Sequence, residues 1–389
     1  MKVTRVIHPI GQGAFYSERI ECDDRTYNIV YDCGSGNFNK APKLLEREIA
    51  SYYKKNDVID VLFISHFDND HINGINELRR HISEIKNVIV PLIEQEDFWF
   101  YSIENNKFER FYNSLTELAN NVYKVRPASE DDKYYHLNEI GLIDLSESEE
   151  GSFEVQNATK FSLRRSIDWC YIPFNYDKKT RLNILKNELV KNGISEKELT
   201  SGWDIIDLNI SSIKKAYKKV VIKKAYKKAY KKVVTDGANK TSLILYSGGV
   251  KGEYECLPYQ GCMRYYSRLY HRLYPRPFYR YDKEGCLYFG DNDLNQANIL
   301  NDLKHKLNSL VERVGTIQVP HHGAIDNFND DIFAINNSVK MFFVSFGNKN
   351  TYRHPSSGVV TEILKNGNGL FEVTEKMYSA YIQIIAKVS

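Results

Sequence analysis

The chain of 389 residues holds six cysteines and no Cys-x-x-Cys pair, which argues against a zinc ribbon built on paired thiolates. At this length a disulfide framework is equally unexpected. No run of about 18 apolar residues occurs, so no membrane span is expected. The opening Met-Lys-Val-Thr-Arg has no apolar stretch, so no signal peptide is expected either. Together these absences point to a soluble, cytoplasmic protein with no membrane partner. Acidic residues are missing from two stretches. Ten lysines and no acid fall within 214–232, and no acid occurs from 256 to 281. The net charge of +3 therefore combines an acidic body with concentrated basic segments. A hydrophobic share of 42% is enough for a proper core.

What is present centres on Ser65-His66-Phe67-Asp68-Asn69-Asp70-His71-Ile72-Asn73-Gly74. Two His and two Asp fall within six residues, directly after the apolar run 58–64. Such a run reads as a buried strand. A strand that ends in a tight turn holds ligands at fixed angles. Alternation puts His66 and Asp68 on one face. Asp70 and His71 enter the next helix and can turn toward a second position. The arrangement suits two adjacent metal ions. The competing reading makes the Asp residues helix caps, which leaves both His without a role.

Around this turn the pattern predicts strands over 3–7, 15–20 and 26–31, a helix over 43–55, a helix over 75–85 and a strand over 87–92. The middle is looser. It reads as helical over 98–123, as loop over 129–151, and as a strand over 166–174 that Pro173 ends or places at an edge. Helices follow over 181–192 and from 195. Residues 93–238 are read as a largely helical insertion that includes the Lys-rich repeat 214–234. At 3.6 residues per turn, a period of four drifts by about 40° per repeat. The apolar pairs of that repeat spiral, so part of it should meet solvent or a curved partner. Strands over 242–247 and 285–289 flank a second insertion, 250–284. It interleaves Arg264, Arg268 and Arg272 with Tyr266, Tyr270 and Tyr274. A helix over 292–313, strands over 316–319 and 340–345, a short helix over 330–336, a helix over 358–366 and strands over 370–374 and 380–387 complete an α/β (α+β) pattern. One domain over 1–389 is expected, with its core in 1–92 and 239–389.

The spacing His-x-Asp-x-Asp-His from His66 to His71 resembles the metallo-β-lactamase superfamily signature His-x-His-x-Asp-His, with Asp68 where the second His usually stands. Further pieces are Gly11-Gln12-Gly13, Tyr288-Phe289-Gly290-Asp291, Pro320-His321-His322-Gly323, Ser345-Phe346-Gly347 and His354-Pro355. With these the chain resembles the hydrolase-like domain of ComEC-type competence proteins, without their membrane channel. Ala14 stands where that family commonly has Asp. The resemblance implies a four-layer αββα metallo-β-lactamase sandwich carrying helical and basic insertions. It also implies two divalent metal ions and hydrolysis through a metal-activated hydroxide. Its implied ligands are His66, Asp68, Asp70, His71, a bridging Asp291 and one of the His321-His322 pair, with His321 favoured beside Asp70 and His71. It places Asp32 under the site, orienting a ligand His, and Asn239 where most members supply another His. Asp70 would orient or deprotonate the attacking water. His354 or His322 would be the acid for the leaving oxygen.

Oxygen at Asp68 and Asn239 suits harder cations than imidazole does. Mn²⁺ or Mg²⁺ should therefore compete with Zn²⁺ beside His66 and Asp68, while the position beside Asp70, His71 and Asp291 stays zinc-compatible. For substrate, the ComEC-type resemblance points to DNA handling. Arg264, Arg268 and Arg272 offer forks for phosphate among stacking rings. Lys223, Lys227 and Lys231 offer a sequence-independent attraction for a polyanion. The expectation is a phosphodiesterase or nuclease acting on DNA or RNA. Two alternatives stand beside it. One is a hydrolase of a small nucleotide or phosphodiester signal. The other is a non-catalytic metal-binding subunit for nucleic acid or protein, with the middle insertion taking a protein partner.

Overall fold

Ile29 and Tyr31, Val61 and Phe63, and Leu243 and Leu245 recur at a spacing of two, and each pair enters one apolar layer. That layer lies between two sheets. The structure is a computed structural model that describes residues 1–23, 25–36, 42–93, 98, 108–128, 141–176, 242–261, 282–296 and 298–388. Asn239, the Lys-rich repeat with Lys223, Lys227 and Lys231, and Arg264, Arg268 and Arg272 lie outside the described residues. The chain divides into two units. The larger is Met1–Leu92, Leu115–Tyr176 and Ser242–Ser389, and the smaller is Ile93–Ser114 and Asp177–Thr241. Within the smaller unit, Phe98 and Tyr112 pack their rings near Phe108, around the helix Phe108–Asn113.

The strands of the larger unit, in chain order, are β1 Lys2–Ile7, β2 Phe15–Cys22, β3 Arg25–Cys33, β4 Val58–Phe63, β5 Glu84–Pro91, β6 Asn121–Val125, β7 Leu142–Asp144, β8 Gly151–Val155, β9 Lys160–Ser162, β10 Cys170–Asn175, β11 Leu243–Gly248, β12 Tyr254–Gln260, β13 Gly285–Tyr288, β14 Val314–Gln318, β15 Met341–Ser345, β16 Gly369–Val373 and β17 Tyr381–Lys387. Among the described residues one sheet runs β12-β17-β1-β2-β3-β4-β5-β6-β8, and the other β16-β15-β14-β13-β11-β10-β9-β7. From β3 to β6 the pairing is parallel, as it is from β13 to β16. The helices Pro42–Tyr52 and Ile75–His81 are the crossovers β3-to-β4 and β4-to-β5. Right-handed crossovers place both on the same outer face. On the second sheet, Ile299, Leu303 and Leu307 of one helix and Val359 and Ile363 of another pack on Leu287, Ile317 and Phe342.

Three expectations change. Within the region read as a largely helical insertion, 121–125, 142–144, 151–155 and 160–162 are strands, and with 170–175, part of the strand expected over 166–174, they extend both sheets as β6 to β10. Pro173 sits inside β10 rather than at an edge, opposite Leu245 of β11. Its missing N–H costs nothing there, because β9 pairs with β10 only at Tyr171 and Phe161, and the Pro173 carbonyl still accepts from the Ala158 amide. Residues 254–260, placed within the insertion 250–284, form an edge strand of the sheet, β12, paired with β17 along its length. Short strands of mixed composition carry too weak a period to be separated from loop or helix.

Candidate metal centre

The C-terminal ends of parallel strands are where α/β sheets place ligands. Here Asp32 lies in the last pleat of β3, and the other candidate residues follow β4 (His66 to His71), β13 (Asp291), β14 (His321, His322) and β15 (His354). The β4 turn is pinned from both sheets. Ile64 N donates to Ile89 O, and Leu243 N of β11 donates to Ser65 O at 2.7 Å. The Asp68 carbonyl starts the short helix Asn69–Ile72 by accepting from the His71 and Ile72 amides. The Asp68 carboxylate makes no cap hydrogen bond. Its Oδ2 lies 3.6 Å from His66 Nε2 instead, so helix capping does not account for this Asp. Beneath the turn, Ala14 N donates to Asp70 O at 3.1 Å. Gly13, at φ +120°, comes so close that a Cβ there would sit 2.5 Å from the Asp70 carbonyl oxygen.

Asp291 is the centre of the cluster, and its two oxygens face different partners. Oδ1 lies 3.4 Å from His71 Nε2 and 4.0 Å from His322 Nε2. Oδ2 lies 3.7 Å from His66 Nε2 and 3.6 Å from His321 Nε2. Asp70 Oδ2 adds a contact of 3.5 Å to His322 Nε2. Donor atoms of His66, His71 and Asp291 converge, as do those of Asp70, His71 and His322. The expected partner is corrected: His322, not His321, stands beside Asp70 and His71. Both residues adopt left-handed backbone, φ +46° and +54°. That conformation splays consecutive side chains to opposite sides of Asp291, which a motif written as a string does not reveal.

Each imidazole is held in one tautomer. His71 Nδ1–H donates to Asp32 Oδ2 at 2.8 Å, and His322 Nδ1–H to Ser345 O at 2.8 Å. His321 Nδ1–H donates to Asn327 Oδ1 at 2.9 Å, an oxygen because the Asn327 Nδ2 donates to Asp291 O. The Ser65 hydroxyl donates to Asp32 Oδ2 at 2.6 Å, so it accepts from His66 Nδ1–H at 2.9 Å. With every Nδ1 engaged in these contacts, Nε2 is the ring nitrogen that faces Asp291 and the one that would offer its lone pair to a cation once deprotonated. Among the described residues, His66 Nε2, His71 Nε2, His322 Nε2 and Asp291 Oδ1 are buried without a hydrogen-bond partner. Orphaned buried lone pairs of this kind are costly unless a cation meets them. The donor set therefore fits divalent metal.

Electrostatics agree. Burial would push Asp70 upward, but the His322 contact and the His71 charge outweigh it and hold the carboxyl at about 2. Asp291 is likewise held low by His321, His71 and His322 against its burial. Burial would push His71 and His322 down, yet Asp291 with Asp32 raises the first, and Asp291 with Asp70 raises the second. The site draws positive charge, and a metal ion would displace those protons. His354 stands at the rim, its ring 6.0 Å from that of His321. Burial and the neighbouring His321 and His322 lower it.

Ser242 and Asn327 escaped the sequence reading, and Ser65 and Ser345 entered it only as motif members without a role. Ser242 Oγ accepts from Asp291 N at 3.0 Å and lies 3.2 Å from His66 Nδ1. Ser65 precedes the key His, so adjacency was its signal. Asn327 carries no signal, because its role depends on a turn that brings it back over Asp291.

Residues 20–148 match the family described as the metallo-beta-lactamase superfamily. The match takes in Asp32 and the β4 turn, and the α/β fold with its two sheets is of that kind. Members of the superfamily are mostly metal-dependent hydrolases. No curated protein matches the chain. Among solved structures, the metallo-beta-lactamase fold protein YhfI from Bacillus subtilis aligns over 100% of this chain and 99% of its own, at 8% identity and a TM-score of 0.36. No helix among the described residues is long and apolar enough to cross a membrane.

Proposed function

We propose that the protein is a metal-dependent phosphodiesterase, a nuclease acting on DNA or RNA, whose His and Asp side chains around Asp291 would hold two divalent cations. The observation that carries this reading is the division of Asp291: Oδ1 toward His71 and His322, Oδ2 toward His66 and His321. Asp70 joins the first pair and Asp68 the second. The position with Asp68 is the more exposed and suits Mn²⁺ or Mg²⁺; the other suits Zn²⁺. Bound cations supply Lewis acidity and an acidified water to an in-line displacement at phosphorus.

The chain's own groups do the rest. Asp32 and Ser345 O fix the tautomers of His71 and His322, so both rings face inward. Asp70 remains ionised and can accept a hydrogen bond from the attacking water. His322 is committed to the cluster, which leaves His354, at the rim, to meet the leaving oxygen. The basic segments that favour a polyanion in the sequence lie outside the described residues, so the substrate reading leans on the site. The test is cleavage of single- and double-stranded DNA and RNA by the full chain with Mn²⁺, Mg²⁺ or Zn²⁺. Cleavage with at least one ion is expected, and Asp291→Ala should lower it by about a hundredfold or more, the order expected when transition-state charge stabilisation is lost. No cleavage with any ion, or an unaffected Asp291→Ala, sinks the proposal.

A further inference from the structure

One exposed aromatic is tied to the cluster by a chain of rings. Tyr352 is 71% exposed, the highest value among the large hydrophobics of the described residues. Its ring stacks on His354 at 5.8 Å with an interplanar angle of 12°. The His354 ring is 6.0 Å from His321, whose Nε2 is 3.6 Å from Asp291 Oδ2. An isolated exposed tyrosine needs no explanation. A tyrosine set nearly parallel, in an offset stack, to a ring that borders the candidate centre is a different matter.

The loop that carries it is built, not incidental. Asn350 closes it with three hydrogen bonds. Its Nδ2 donates to Gly347 O at 2.7 Å and to His354 O at 2.8 Å, and its Oδ1 accepts from His354 N at 2.9 Å. Gly347 N donates to Gln12 Oε1 at 3.4 Å, which ties the loop to the turn under Asp70. Lys349 and Arg353 are exposed on the same loop, and no acidic residue occurs from 347 to 356. The Glu375 carboxylate accepts from the Asn348 amide at 3.0 Å.

We propose that Tyr352, backed by His354, is a stacking platform for a nucleobase next to the scissile phosphodiester, with Lys349 and Arg353 for adjoining phosphates. This rests on the phosphodiesterase reading above and narrows its substrate to strands with unpaired bases. Aromatic faces hold bases without sequence preference because every base has a π-face, and a base held in a duplex stack cannot use them.

The experiment measures KM and kcat of the full chain for a short single-stranded oligonucleotide and for the same strand with an abasic unit beside the cut. Tyr352→Ala should raise KM for the intact strand roughly 5- to 140-fold, the range set by loss of one base stack, with kcat nearly unchanged. Tyr352→Phe should match the wild type within about twofold, since the ring face is retained. On the abasic strand the wild type should already show the raised KM, and Tyr352→Ala should add nothing. An unchanged KM in Tyr352→Ala, or an equal rise on both strands, overturns the platform while the nuclease reading stands. If the wild type cleaves bis(p-nitrophenyl) phosphate but no oligonucleotide, the platform falls and a phosphodiesterase remains. If it cleaves neither, both fall.

Discussion

Asp32 shows how much a single buried side chain can fix. It sits at φ +57° at the end of β3 and is fully buried. One oxygen accepts from the Ser65 amide at 2.7 Å, and the other from the Ser65 hydroxyl and His71 Nδ1. Through Ser65 the same carboxylate also sets the tautomer of His66. Asp32→Asn keeps the volume but puts an NH₂ against groups that are themselves donors. Metal affinity should fall roughly 10- to 100-fold, the range for loss of a partner behind a ligand His. Competition with a chelating indicator dye measures it, with circular dichroism as the check on folding. Unchanged affinity would remove Asp32 from the account. At this scale the sequence was readable where chemistry is local: two His and two Asp in six residues need a common purpose. It was unreadable where backbone conformation decides, as with the splayed His321 and His322, and where a distant turn returns, as with Asn327.

At the scale of elements, the Gly11-Gln12-Gly13 turn is the template for the β4 turn. Gly13 N-terminal to Ala14 must pass under Asp70 at a distance that leaves no room for a side chain, and its φ of +120° is open only to glycine. Gly34 makes the same close approach from the end of β3, where a Cβ would also lie 2.5 Å from Asp70 O. Gly13→Val should cost about 1–3 kcal/mol in backbone strain alone, read as a lower urea midpoint at unchanged slope. The displaced Asp70 should weaken metal binding in the same variant. Wild-type stability together with wild-type metal affinity would contradict the template role. β4 and the helix Ile75–His81 were legible because they flank the His and Asp turn, β4 as an almost wholly apolar run. The strands β6 to β9 and β12 were not. Their hydrogen bonds go to partners far along the chain, and a strand of three to seven residues carries little period of its own.

At the scale of the whole molecule, two halves of the chain are joined by polar contacts across the apolar layer. Arg5 of β1 donates to Glu18 Oε1 at 2.7 Å, and Tyr171, Ser247 and Tyr288 of the second sheet donate to the same carboxylate. Burial would raise Glu18, but Arg5 and these donors hold it low. A buried pair of this kind is weak evidence for stability and better understood as fixing how the sheets meet. That registry decides whether Asp291, on the second sheet, lands between His66 and His71 on the first. The sandwich was legible because its motifs repeat at strand ends in both halves. The network beneath it was not: period two puts Arg5 on one face with Val3 and Ile7 and Glu18 with Tyr16 and Ile20, but an isolated Arg or Glu in a short strand reads as a solvent position until its partner on the other strand is known. The central claim is that one Asp291 serves two cations, and it has a direct test. Metal-free protein is titrated with Mn²⁺ while bound equivalents and oligonucleotide cleavage are followed together. Activity should rise only as the second equivalent binds, and Asp291→Ala should bind neither ion tightly and stay inactive. Full activity at one equivalent, or cleavage by the metal-free protein, would contradict the account.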